Sequence, residues 1–167
     1  MVIVLGIDPG TANTGYGVVV TSGQRLAALD GGVIATDGRE PFETRLLRIH
    51  TRVRDLIKEH NPQAIAIEDL FFGTNARSAF SVCQARGAVM LTAGLYGIPA
   101  YSYTPQAVKQ AVCGSGRAEK GQVQRMVQRL LALADLPSPD HAADALAVAI
   151  CHANGAPMQA ALAKVAG

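Results

Sequence analysis

Val2–Val20, VIVLGIDPGTANTGYGVVV, decides the fold, because it carries an apolar strand into a turn and leaves one carboxylate at the strand's mouth. Ile3, Leu5 and Ile7 alternate with Val2, Val4 and Gly6, so both faces of the segment are apolar and it reads as a central strand covered on both sides. Asp8 follows on the Val2, Val4, Gly6 face. Pro9-Gly10 ends the strand, since proline removes a ladder donor and glycine permits positive φ. An aspartate there is either a turn former or a sheltered functional group, and the two readings are separated only further along the chain.

Working outward, Thr14–Thr21 and Arg25–Thr36 are β-rich and joined through Ser22-Gly23, which predicts an antiparallel three-strand meander with a bulge or bend at Gly31-Gly32. Phe42, Leu46, Ile49, Val53, Leu56 and Ile57 recur at helical spacing from Pro41 to His60, and Asn61-Pro62 stops that helix. Ala64–Glu68 returns as a short strand with Ile65 and Ile67 on one side and Ala64, Ala66 and Glu68 on the other. Asn75 is an N-cap candidate for a small-residue helix running to about Tyr96. Ile98–Tyr103 reads as the last strand, and Thr104-Pro105 opens a helix through Val112. After the CGSGR break at Cys113–Arg117, a helix over Glu119–Leu133 carries Lys120, Arg125 and Arg129 outward. Ser138-Pro139 opens a final helix that Asn154-Gly155 terminates. These elements describe an α/β domain with a mixed sheet and helices on its faces.

The composition bounds the function. At 167 residues with 49% hydrophobic and 17% charged side chains, the chain supports one ordinary core and is not disordered. No apolar run reaches the roughly eighteen residues of a membrane span, and Asp8 interrupts the place of a signal peptide, so an intracellular protein is expected. Cys83, Cys113 and Cys151 are odd in number and lie far apart with no CxxC pair, so neither a disulfide framework nor a zinc ribbon is indicated. The net charge of +2 is small but segregated: between Leu70 and Ala134 there are seven basic residues and only Glu119 as an acid, a local +6. Such a segment is either a phosphate-binding face or a solvated helix surface.

The acids form a second pattern. Asp8 and Glu68 each end a buried strand, and two residues earlier on the same face each has a small residue, Gly6 and Ala66, over which a helix can lie closely. The last helix has an apolar stripe of Ala143, Leu146, Ala147 and Ile150, and Asp144 sits in it as a carboxylate that is costly without a partner. Asp140 lies about 40° and His141 about 60° around the helix from Asp144, so either shares its face. Geometry leaves that choice open, and Asp140 also suits the helix dipole in the first turn. Two or three converging carboxylates require raised pKa values or a hard cation such as Mg²⁺ or Mn²⁺.

IDPG with TGYG, AIED with the following FF and N, QARG at Gln84–Gly87, VKQAV at Val108–Val112, AEK at Ala118–Lys120 and HAADALAVAI near the end together resemble the RuvC family of Holliday junction resolvases over essentially the whole chain. The resemblance implies a ribonuclease H-like fold over residues 1–156, a five-stranded mixed sheet of three antiparallel then two parallel strands flanked by helices. Residues 157–167 would be a helical or disordered tail. It implies a crossover junction endodeoxyribonuclease that makes paired symmetric nicks and leaves 5′-phosphate and 3′-hydroxyl ends. Asp8, Glu68, His141 and Asp144 would be its catalytic, metal-binding residues, holding two Mg²⁺ ions, or Mn²⁺. Many members have aspartate at the position of His141. Lys109 and Lys120 match lysines that serve DNA binding and catalysis, Phe71 matches an aromatic that stacks on a base, and Arg77 and Arg86 are candidates for backbone contacts. The implied partners are four-way junction DNA, a second copy of the chain through the Ala76–Tyr96 helix, and a branch-migration motor of the RuvA and RuvB type in the bacterial cytoplasm. GIDPGTANTGYGVV is also similar to the first phosphate loop of actin-like and sugar-kinase-like ATPases, but 167 residues without a second such lobe do not enclose a nucleotide. A catalytically silent junction-binding protein and a ribonuclease H-like nuclease acting on RNA are the other readings, separated by nicking and by substrate competition.

Overall fold

A computed structural model describes residues 1–69 and 76–165, with side chains through 155; Phe71, Phe72 and Asn75 lie outside the described residues. Strand β1 (Val2–Asp8) pairs antiparallel with β2 (Asn13–Ser22), which pairs antiparallel with β3 (Arg25–Ala35). Strands β4 (Ala64–Glu68) and β5 (Ala100–Tyr103) add in parallel on the other side of β1, so the order is β3-β2-β1-β4-β5. The expected three antiparallel and two parallel strands are therefore present, with the opening apolar strand at the centre.

Alternation along β1 sorts the molecule into two cores. Leu5 and Ile7, with Ile65 and Ile67 of β4, pack beneath α1 (Phe42–His60) and α2 (Ala76–Leu95). Val4 and Ala66 face the other way, toward α3 (Pro105–Cys113), α4 (Lys120–Leu130) and α5 (Asp140–Val165). Local signals set the ends of several elements as expected. Asn61 adopts the left-handed conformation that closes α1, and its N–H donates to the Ile57 carbonyl. Thr104 caps α3 through its side-chain oxygen, with Pro105 in the first turn and Gly114 at φ 75° closing it.

Four expectations change. Helix α5 does not stop at Asn154-Gly155 but runs to Val165, because Gly155 does not take the left-handed φ of a helix stop and the following residues are alanine-rich. The narrow apolar stripe on α5 becomes burial nearly all round, from Ala142 to His152 with Asp144 as the half-buried exception, since the helix lies between the sheet and α3 and α4. The register slip in β3 falls at Leu29, between the pairs Val18↔Asp30 and Val19↔Ala28. Gly31-Gly32 stays in register with Gly17 and Tyr16, and Gly32 is small because a Cβ there would press on the Tyr16 ring. Gly10 has no positive φ; it is glycine because a Cβ would strike the Asn13 carbonyl.

Packing between α5 and the strands is very close. A Cβ on Gly6 would overlap the Ala145 carbonyl, one on Gly15 would overlap the His141 carbonyl, and one on Gly17 would come within 2.7 Å of the Leu146 side chain. Backbone therefore lies directly on backbone. Gly15→Ala should force α5 away from the sheet and cost about 1–3 kcal/mol in thermal or urea unfolding. Gly155→Ala, where nothing among the described residues comes within 4 Å of an added Cβ, should be neutral or stabilising by up to about 1 kcal/mol; equal effects at the two sites would contradict this packing.

Candidate active site

The parallel register of β1 with β4 runs Gly6↔Ala66 and Ile7↔Ile67, so Asp8 and Glu68 leave the two strands side by side. On the other flank Asp8 pairs with Gly15 of β2. Because Gly15 carries no side chain, the first turn of α5 settles onto it and delivers His141, whose Nδ1 lies 2.8 Å from Asp8 Oδ2. One turn further, Asp144 faces the same strand ends. His141 rather than Asp140 therefore lies against Asp8. Asp140 points away toward α4, accepting from Gln124 Nε2 at 2.9 Å and pairing with Lys120 Nζ at 3.0 Å.

Electrostatics single out this corner. Burial pushes the Glu68 carboxyl up to about 8, the charges of Asp8 and Asp144 add to the shift, and a hydrogen bond to Asp8 holds the protonated form. Asp144 is also raised, first by burial and then by Asp8, while Lys120 acts in the opposite direction from 3.6 Å. Burial lowers the Lys120 ammonium, but its bonds to Asp140 and Asp144 prevail and hold it above its ordinary value. The protein thus brings three carboxylates and an imidazole together with one ammonium at the rim. That donor set, too crowded with negative charge to ionise fully by itself, suits a hard divalent cation, which Asp8, Glu68, Asp144 and His141 would hold.

The sequence-predicted basic residues separate. Lys120 reaches the acidic corner. Lys109 lies on α3, where its charge is felt by Cys113. Arg86 is clamped to Asp69 at 2.8 Å and also donates to Ser102 Oγ, so it ties α2 to the ends of β4 and β5. Arg77 is exposed at the start of α2, and Phe71 falls outside the described residues. A different group of metal-type side chains, Asp30, Glu59 and His60, gathers between β3 and the end of α1. His60 Nε2 at 3.3 Å and Arg52 at 3.7 Å from Asp30 make it an ion-pair network that fastens helix to sheet. Gly6 was read from sequence as a helix seat, but the positioning glycines of β2 were missed; Gly15 and Gly17, two apart in an otherwise apolar strand, mark one bare strand face and could have been read the same way.

Residues 4–152 match the family described as "Crossover junction endodeoxyribonuclease RuvC". The chain belongs to the RuvC family. The protein of that name from Desulfitobacterium hafniense is 50% identical over 152 residues, 91% of this chain and 92% of its own length. The one from Moorella thermoacetica is 49% identical over 165 residues, with 99% of each chain covered. A structure of Thermus thermophilus RuvC in complex with Holliday junction substrate superposes with a TM-score of 0.91 at 42% identity, covering 95% of this chain and 97% of that one. The family's ribonuclease H-like sheet is the one described above.

Linkage gives a test of the cation fit that needs no activity. Between pH 4.5 and about 8 the folded protein keeps a proton on Glu68 that the unfolded chain has released. In metal-free buffer its contribution is therefore full below about 4.5 and is lost as pH rises through about 8. Glu68→Gln should accordingly stabilise the metal-free protein at pH 8, by on the order of 1–3 kcal/mol in thermal unfolding, and by nothing at pH 4. Millimolar Mg²⁺ should raise the wild-type midpoint at pH 8 more than that of the variant; an identical response would remove Glu68 from the ligand set.

Proposed function

We infer that this RuvC-family chain is a metal-dependent endonuclease that resolves four-way DNA junctions by paired, symmetric nicks, leaving 5′-phosphate and 3′-hydroxyl ends. The observation that carries the reading is the convergence of Asp8, Glu68, His141 and Asp144 at one end of the sheet. Family membership over residues 4–152 supports it. Asp8, Glu68, Asp144 and His141 would hold two divalent ions, Mg²⁺ or Mn²⁺, supplying an acidified water and neutralising charge on the scissile phosphate. Asp8 is central because it touches both Glu68 and His141.

The protein's own groups have separate duties. Asp8 fixes the direction of the His141 ring, and the α5 backbone seated on Gly15 fixes its position. Lys120 stands at the rim, where it can turn from Asp144 to a phosphate oxygen and offset transition-state charge. Lys109 and Arg77 add phosphate contacts. Arg86 adds less, because Asp69 already holds its charge. Phe71 is assigned to stacking on a base at the opened crossover, an interaction of about 1–3 kcal/mol.

Two equivalent strands must be cut, which calls for a two-fold dimer with two sites. The outer face of α2 supports this assembly: Ala85, Val89 and Ala93 turn inward, while Phe80, Leu91 and Leu95 are each more than 60% exposed. The branch-migration motor of the RuvA and RuvB type rests on the resemblance alone.

A synthetic mobile four-way junction should receive symmetric nicks in opposing strands with Mg²⁺, and linear duplex none. Asp8→Asn should abolish cleavage while junction affinity stays within a few-fold; preferential cutting of an RNA–DNA hybrid would overturn the substrate assignment. His141→Asp should shift the Mn²⁺ to Mg²⁺ activity ratio toward Mg²⁺, an oxygen replacing a nitrogen donor; an unchanged ratio would mean that the imidazole is not a ligand.

A further inference from the structure

We propose that the cavity between the β1–β2 turn and the first turn of α1 is a subsite for a DNA backbone phosphate next to the scissile one, with Arg45 as its anchor. This rests on the junction-resolving reading above. The cavity, about 320 Å³, is lined by Gly10, Thr11, Asn13, Phe42, Arg45 and His141, among others. His141 is thus shared between the acidic corner and this cavity, so a strand threaded through one continues into the other.

Arg45 is held as a phosphate-binding arginine needs to be. Its Nε donates to Thr36 Oγ1 at 2.9 Å, and its guanidinium carbon lies 5.7 Å from the centre of the Phe42 ring. Thr36 Oγ1 in turn donates to the Thr11 carbonyl at 2.5 Å, and Thr11 Oγ1 to the Ser81 carbonyl at 2.9 Å. The arginine is therefore tied through two threonines to the segment just after β3, to the β1–β2 turn and to α2. Two nearby acids are already engaged, Asp37 by Arg39 at 2.5 Å and Glu40 by Arg48 at 2.6 Å. Arg45 makes no ion pair among the described residues. A half-buried guanidinium with its terminal nitrogens uncommitted presents a planar fork that fits two oxygens of one phosphate.

Placement gives the subsite its purpose. The acidic corner repels DNA, and Lys120 offsets that repulsion from α4, on the α5 side of the sheet. Arg45 lies on α1, on the opposite side. The two cations thus flank the acids, and a strand crossing the strand ends meets one on each side. Arg45 stands outside the Leu70–Ala134 basic segment, so charge counting along the sequence does not reveal it.

The test measures junction affinity in EDTA against KCl concentration. Arg45→Gln should weaken binding about tenfold and reduce the slope of log affinity on log salt by about 0.7 to 0.9, one phosphate contact, with a thermal midpoint within about 2 °C of wild type. Arg45→Lys should retain the slope, and so should Thr36→Val, which cuts the tether and keeps the charge. A junction with a single neutral methylphosphonate beside the cleavage position should lose the same slope in wild type and nothing further in Arg45→Gln. An unchanged slope in Arg45→Gln overturns the subsite. So does an affinity loss that Thr36→Val reproduces together with a fall in midpoint, which would make Arg45 a structural staple. Wild type without junction affinity would overturn the resolvase reading itself.

Discussion

Contact between two backbones governs this protein. Helix α5 lays its backbone on Gly6 of β1 and Gly15 of β2 and its Leu146 side chain on Gly17, and it keeps its own side small with Ala145 and Ala149. Any Cβ in that floor would lift the helix. The seat sets the depth, tilt and register of α5, and through them the positions of His141 and Asp144 relative to Asp8 and Glu68. Stability and site geometry are consequently the same variable here. Close approach buries a long apolar helix on nearly all sides, and the same approach forces carboxylates into one small volume.

That crowding makes the free site electrostatically incomplete. Glu68 retains its proton up to about 8, and Asp144 is shifted in the same direction, because burial and mutual repulsion disfavour their charged forms. Lys120 compensates only at the rim, and it is shared with Asp140. Asp140 therefore keeps the ammonium near the acids without joining them. The imidazole of His141 makes the corner less negative than a fourth carboxylate would, and it can coordinate only when neutral.

Much of this was legible in the chain. The two-faced apolar run of β1, the Asn61-Pro62 stop and the Thr104-Pro105 start act through local stereochemistry, and each appears where the residues predict it. The pairing of Asp8 with Glu68 follows from two acids ending buried strands after small residues. What escaped depends on tertiary contact. Asp140 and His141 are nearly equivalent around the helix, and only the fit of α5 on Gly15 sends one inward and the other to Lys120. The bulge at Leu29 was hidden because the adjacent glycine pair is small for a different reason, the Tyr16 ring. Arg86 reads as a surface cation until Asp69, seventeen residues earlier, is seen beside it.

The bond between His141 and Asp8 joins residues 133 positions apart. The first strand contributes the central carboxylate and the last helix completes the set around it, so no shorter stretch of this chain contains the whole constellation. During synthesis, when domains fold from the N-terminus onward, the sheet can pair while α5 is still within the ribosome. The centre assigned to DNA cutting stays open until α5 has left the ribosome, and truncation within α5 before Asp144 leaves a sheet with two acids and no blade.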